Sequence, residues 1–117
     1  MVELLGGGDL PDGFEYPREF LRVVNLRLLD LEPWLILEGE QLLARHHGLS
    51  ERFPDRLLVP FARRQDNDDI ACWDLGQQDC GVAIVHDFAS PGWERRAEYP
   101  DFNSWLRQAV EDLIDFA

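Results

Sequence analysis

Residues 57–88 read LLVPFARRQDNDDIACWDLGQQDCGVAIVHDF, and this stretch decides the fold. It contains three apolar runs of strand length, at Leu57–Phe61, Ile70–Leu75 and Val82–Phe88. Aspartate and asparagine side chains bond to the nearby backbone and tolerate unusual dihedrals, so Asp66–Asp68 predicts a tight turn after the first run. Gly76 and Gly81 provide the next connection. The pattern predicts consecutive antiparallel strands.

Two details predict where these runs lie in the sheet. Pro60 has no N–H to donate to a neighbouring strand, which favours an edge position or a bulge for the first run. In the third run apolar side chains alternate onto both faces, with Val82 and Ile84 on one side and Ala83 and Val85 on the other. A strand with two apolar faces is typical of a central position, so we expect the third run to be covered on both sides.

The rest of the chain predicts helices around this sheet. Apolar spacings of one, three and four predict an N-terminal amphipathic helix over Tyr16–Leu29, and similar spacings predict a C-terminal one over Phe102–Ile114. Asp101 is the expected N-cap of the second of these helices. Between them lie a short strand at Trp34–Leu37 and a short helix at Glu40–His47, which Gly48 is expected to end. The fold class is α+β, with a predominantly antiparallel sheet of four to six strands and both terminal helices packed on it.

The length of 117 residues fits one domain over 1–117. Residues 1–13 contain glycine-rich sequence and few apolar anchors, so we expect them to be a flexible lead-in. The net charge is −12. It is concentrated in residues 66–117, which hold 12 acidic residues and 3 arginines. Such a field repels nucleic acid and anionic lipid and favours a basic partner.

Several classes of protein find no support in the sequence. There is no stretch of about 20 apolar residues and no signal-like N-terminus, so we expect a cytoplasmic protein without a membrane span. Lysine and threonine are absent, which excludes a P-loop lysine and a threonine nucleophile. Cys72 and Cys80 are separated by seven residues, where metal and redox motifs leave two, so we expect two reduced thiols. No cofactor is predicted.

The remaining polar clusters resemble catalytic or metal sites only in part. The loop that begins at Asp66 has Ile70 and Ala71 where a calcium loop needs an oxygen ligand and a glycine, so no metal site is predicted. His86 and Asp87 are the residue types of a base and its orienter, but neighbours on a strand point to opposite faces. A small hydrolase using this pair is kept as the weakest hypothesis.

Trp93 follows a predicted strand in a segment with charged neighbours. Loop tryptophans with arginine are typical of binding hot spots, but a tryptophan here can also fold back and cap the core. The sequence leaves these two interpretations open.

Five segments together resemble the SUKH superfamily, the group that includes the Smi/Knr-like cell-wall assembly regulators. They are Pro17–Leu21, Leu58–Ala62, Asp68–Leu75, Val82–Phe88 and Phe102–Leu106. Their order and spacing follow the family's opening helix, its "IPFA" strand, its aromatic-Asp-Leu strand, its His-Asp strand and its closing helix. The resemblance covers nearly the whole chain.

This resemblance implies a binding module without catalytic residues. Many bacterial members are immunity proteins that neutralise a cognate toxin, often a nuclease, and fungal members act in regulatory networks. The first hypothesis is therefore a non-enzymatic, cytoplasmic binding protein that neutralises a basic toxin. Its predicted partner-binding residues are Asp66, Asp68, Asp69, Trp93 and Glu94. A regulatory scaffold of the same fold, with a partner other than a toxin, is the alternative.

Overall fold

The computed structural model describes residues 2–76, 80–90 and 92–116. Its elements in chain order are α1 (Arg18–Asn25), β1 (Asp30–Leu31), β2 (Trp34–Ile36), α2 (Gly39–Arg52), β3 (Leu58–Arg64), β4 (Asp69–Asp74), β5 (Val82–His86), β6 (Arg95–Tyr99) and α3 (Phe102–Phe116). The six strands form one sheet in the order β1-β2-β3-β4-β5-β6, and every neighbouring pair is antiparallel. The predicted α+β fold is confirmed.

The strand predictions from residues 57–88 hold, with two qualifications. The register between β3 and β4 shifts between Pro60 and Ala62, so the proline is accommodated by a bulge. The edge alternative is wrong, because β3 lies between β2 and β4. The third apolar run ends as a strand at His86, and Phe88 lies in the loop beyond it.

Apolar clusters cover both faces of the sheet. The larger cluster lies under α1 and α3 and contains most of the buried aromatic residues, which are Phe20, Trp34, Phe61, Trp73, Phe102 and Trp105. The smaller cluster lies on the α2 face and contains Leu49, Phe53, Leu58, Ile70, Cys72, Ala83 and Val85. Val82 and Ile84 belong to the larger cluster, so β5 is covered on both faces as predicted.

The helices that differ most from their predicted ranges are α1 and α2. Helix α1 is shorter than expected, and Arg27 beyond its end has a φ of 58°, a left-handed conformation that a helix cannot continue through. Helix α2 does not end at Gly48 but continues to Arg52. The predicted cap of α3 is confirmed, because the Ser104 N–H donates to Oδ1 of Asp101 at 2.8 Å.

Strand β6 was not predicted. Its sequence, Arg95–Tyr99, has charged residues at three of five positions, and it forms one edge of the sheet. Edge strands tolerate charge because one side of their backbone faces water. The apolar pattern that marks an interior strand is therefore missing here.

The N-terminal segment packs against the domain. Leu5 is buried in the larger cluster, and its N–H donates to the Tyr16 hydroxyl at 3.1 Å. The Glu3 carbonyl accepts from the Gly39 N–H at 2.9 Å. These contacts were not predicted for residues 1–13, which were expected to be a flexible lead-in. Across the described ranges, no helix is long and apolar enough to cross a bilayer.

Candidate functional site

The predicted binding residues belong to two connections at one end of the sheet. One is the β3–β4 turn, residues 65–68, and the other is the β5–β6 connection, residues 87–94, of which 91 lies outside the described ranges. Asp69 at the start of β4 is paired with His86 at the end of β5. The Asp87 N–H also donates to the Asp68 carbonyl at 3.1 Å. We call these two connections together the loop end.

The β3–β4 turn has the Asx geometry expected from its sequence, because Oδ1 of Asn67 accepts from the Asp69 N–H at 2.8 Å. Asp66 is exposed and lies against Arg64, which donates from Nε at 2.9 Å and from Nη2 at 3.0 Å. These hydrogen bonds lower the pKa of Asp66 below its ordinary value. Asp68 is exposed, and no ion pair within the described ranges involves it.

Asp69 differs from its two neighbours because it is 8% exposed. Its Oδ1 lies 2.7 Å from Nε of Arg96 and 3.4 Å from Nδ1 of His86. The carboxylate therefore faces Arg96 and His86 within its own sheet. It connects β4 to β5 and β6, and it is not available as a free surface charge.

Glu94 also points inward and is 8% exposed. Its Oε1 accepts from the Gly92 N–H at 2.6 Å and its Oε2 accepts from Nη1 of Arg56 at 2.6 Å. Arg56 donates in turn to Oδ2 of Asp74 at 2.6 Å. Burial raises the pKa of Glu94, but the hydrogen bonds from Gly92 and Arg56 outweigh it and leave the pKa below its ordinary value. Glu94 thus anchors the β5–β6 connection to the α2 face of the sheet.

Trp93 is 81% exposed, which excludes the core-cap interpretation in this structure. Its backbone is held in a turn, because its N–H donates to the Ser90 carbonyl at 2.9 Å. Phe88 in the same connection is also exposed, and the Arg52 guanidinium carbon lies 4.6 Å from its ring centroid. Two aromatic side chains therefore lie on the surface of one anchored loop.

Asp87 is fully buried and forms the second anchor of this loop. Its carboxylate accepts from Nη1 of Arg45 at 2.7 Å and from Nε of Arg52 at 2.8 Å. Arg52 reaches it across Gly48, where an added Cβ would lie 2.5 Å from Nη2 of Arg52. The glycine that was predicted to end α2 instead leaves room for this arginine.

The hydrolase hypothesis requires His86 and Asp87 to converge, and they do not. His86 faces Asp69 on its neighbouring strand, whereas Asp87 faces the two arginines of α2. No group of three or more potential metal ligands occurs in the described part of the chain.

The arginines that position the β5–β6 connection were not predicted from the sequence. Arg45 and Arg52 are seven residues apart, which is close to two helical turns and places them on one face of α2. That spacing was a detectable signal for a charged stripe. Arg56 carried no comparable signal, because its partner Glu94 is 38 residues away.

No protein-family model, curated protein or solved structure matches this chain. Membership of the SUKH superfamily therefore stays a prediction that depends on the sequence motifs.

Proposed function

We propose that this chain is a non-enzymatic protein-binding module and that its loop end binds a partner with a basic surface. The observation that supports this most directly is Trp93, a large aromatic side chain that is 81% exposed on a loop whose backbone is held in place. Exposed aromatic residues of this kind are enriched among residues that dominate binding energy.

Hydrogen bonds hold the β5–β6 connection in place, and this order favours binding. Glu94 and Asp87 are both buried and hydrogen-bonded on either side of Trp93. A loop that is already ordered loses less conformational entropy when a partner binds. The two buried carboxylates therefore contribute to binding indirectly, by holding Trp93 and Phe88 in position.

Charge complementarity supplies the preference for a basic partner. Asp66 and Asp68 are exposed beside this loop, in the half of the chain that carries most of the net negative charge. Complementary charges speed encounter and orient the partner, and their effect weakens as salt screens them. Asp69 and Glu94 were predicted as direct contacts. Both are buried, and through their arginine partners they hold the loop end in place.

The immunity hypothesis gives this surface a biological role. A toxin domain that acts on nucleic acid carries basic surface to hold phosphates, and an acidic module can cover that surface. A regulatory scaffold would use the same loop end for a different basic protein. The partner's identity separates these two roles: capture of a toxin encoded beside this gene supports immunity, and capture of any other protein supports the scaffold.

The experiment compares partner capture by four forms of the chain over a series of salt concentrations. These are the wild type, Trp93→Ala, Asp68→Arg and the control Asp55→Arg. Asp55 is exposed and precedes β3, at the end of that strand opposite the β3–β4 turn. Its reversal makes the same change in net charge as reversal of Asp68.

We expect Trp93→Ala to weaken capture by about 2 kcal/mol or more, as for a hot-spot residue. Asp68→Arg should slow association and reduce its salt dependence, while Asp55→Arg should behave like the wild type. If Asp55→Arg weakens capture as much as Asp68→Arg, only net charge matters and the assignment to the loop end is wrong. If Trp93→Ala captures the partner as well as the wild type, Trp93 is not the anchor.

A further inference from the structure

Helices α1 and α3 lie next to each other over the larger cluster. The rings of Phe20 in α1 and Phe102 in α3 meet edge to face, with centroids 5.5 Å apart. Both side chains are buried, whereas the side of each helix that points away from the sheet is exposed. We call these two exposed helix surfaces together the helix face.

The α1 part of the helix face is basic. Residues 18–29 hold three arginines and one glutamate, in a chain whose net charge is −12. All three arginines are exposed, and no ion pair within the described ranges involves them. Arg18 and Arg22 are one helical turn apart and line a surface groove with Leu21 and Leu26, which are 37% and 56% exposed. Positive charge and exposed leucines therefore lie together on α1.

The α3 part of the helix face is acidic. Val110 and Ile114 are one turn apart and are 40% and 62% exposed, and Glu111 and Asp115 form the adjacent exposed row. Among the described residues, no ion pair involves either of these carboxylates. The last turn of α3 has no basic residue, and the C-terminal end of a helix dipole disfavours negative charge. A basic surface placed against this end would relieve that repulsion.

We propose that two copies of this chain form a dimer through the helix face, with α1 of each copy packed against α3 of the other. A two-fold axis that passes between the two helices brings the basic row of one copy to the acidic row of its partner, and it forms this contact twice. The same contact buries the exposed apolar side chains beside each row. Rows of side chains four residues apart are the ridges by which packed helices interlock.

The charge pattern favours a second copy over an unrelated partner. An acidic protein would match α1 and a basic protein would match α3, but a surface that matches both helices needs both signs of charge. The chain itself carries such a surface. Two copies with a net charge of −12 each repel one another, so the local match has to outweigh a general repulsion that physiological salt screens beyond about 8 Å. The dimer does not depend on the function proposed for the loop end, because it uses no residue of those two connections.

Sedimentation equilibrium of the full chain at about 0.15 M salt tests this proposal. We expect a monomer–dimer equilibrium with a Kd of about 10 μM, as for a small interface. Arg22→Glu and Glu111→Arg should each weaken the dimer about tenfold or more, since each brings like charges together at both contacts. An equimolar mixture of the two variants should restore it as a heterodimer, because one contact is then wild type and the other has its charges exchanged. Circular dichroism of each variant before mixing shows that it is folded.

A general effect of net charge gives a different result. Glu111→Arg reduces the overall repulsion between copies, so net charge alone would strengthen association. Asp68→Arg makes the same change in net charge at the loop end and should associate at least as well as the wild type. A wild-type chain that sediments as a monomer at about 1 mM would overturn the dimer. Stronger association of Glu111→Arg, or no recovery in the mixture of folded variants, would overturn the assignment to the helix face.

Discussion

Gly48 lies directly under the Arg52 guanidinium, so close that a Cβ at Gly48 would meet Nη2 at 2.5 Å. Arg52 crosses this position to reach the carboxylate of Asp87, which is fully buried. Gly48 thus has a packing role within α2, because it leaves room for Arg52. Arg52 in turn links the helix to the β5–β6 connection that carries Trp93.

We expect Gly48→Ala to destabilise the wild type. Alanine gains about 1 kcal/mol over glycine within a helix, but its Cβ displaces Arg52 from Asp87. A hydrogen bond to a charged group is worth about 1.5–3 kcal/mol, so the loss exceeds the gain. Urea unfolding measures the net change.

The matched control makes the same substitution in an Arg52→Ala background, which removes the three atoms nearest to the new Cβ. There Gly48→Ala should stabilise the chain by about 1 kcal/mol. If the substitution has the same sign in both backgrounds, Gly48 and Arg52 are not coupled in the way that the structure indicates.

The lowered pKa of Glu94 predicts that the folded chain loses stability in acid. Its pKa in the folded chain lies below the ordinary value of 4.5, because hydrogen bonds from Gly92 and Arg56 outweigh the effect of burial. A carboxylate with a lowered folded pKa contributes stability that is fully present above the unfolded pKa and is lost as the pH falls through the folded pKa. The free energy of unfolding should therefore decrease as the pH drops below about 4.5.

Measuring this free energy against pH for the wild type and Glu94→Gln isolates the effect of this carboxylate. The variant should be less stable at neutral pH and should lose less on acidification, so the two curves converge in acid. Asp68→Asn is the control and should follow the wild-type curve. Parallel curves for the wild type and Glu94→Gln would show that Glu94 does not anchor the loop.

Trp93 and Trp105 should respond very differently to truncation. Trp93 is 81% exposed and Trp105 is 1% exposed in the larger cluster. Trp93→Ala should change stability by no more than about 0.5 kcal/mol, whereas Trp105→Ala should cost about 3–5 kcal/mol. Denaturant unfolding checks both values. A large loss from Trp93→Ala would mean that this side chain packs on the domain after all.

The two cysteines should differ in reactivity toward a thiol reagent. Burial raises the pKa of Cys72 well above its ordinary value, and it also raises that of the half-buried Cys80, whose φ of 51° places it in a turn-like conformation. Only Cys80 should react in the folded chain, more slowly than a free thiol, because the thiolate is the nucleophile. Cys80→Ser should remove this reaction, and Cys72 should react only after unfolding. A prompt reaction in Cys80→Ser would show that Cys72 is accessible.

Local pattern was enough to predict the four inner strands, β2 to β5, and the helices around them. The alternation in Val82–Val85 and the Asx turn beyond Asp66 depend on neighbours within a few residues, and these neighbours are visible in the sequence. The cap at Asp101 was predictable for the same reason. Strand β6 was not, because an edge strand needs no apolar alternation.

The sequence by itself determined the four inner strands, the terminal helices and the acidic character of the chain, because periodicity and charge are properties of short segments. The tertiary structure alone decided which acidic residues are exposed. Asp69 and Glu94 carry the same charge as Asp68, but their partners Arg96 and Arg56 lie 27 and 38 residues away along the chain. Contacts across such separations form only when the strands pair, and they bury two carboxylates while they leave Asp68 and Trp93 on the surface.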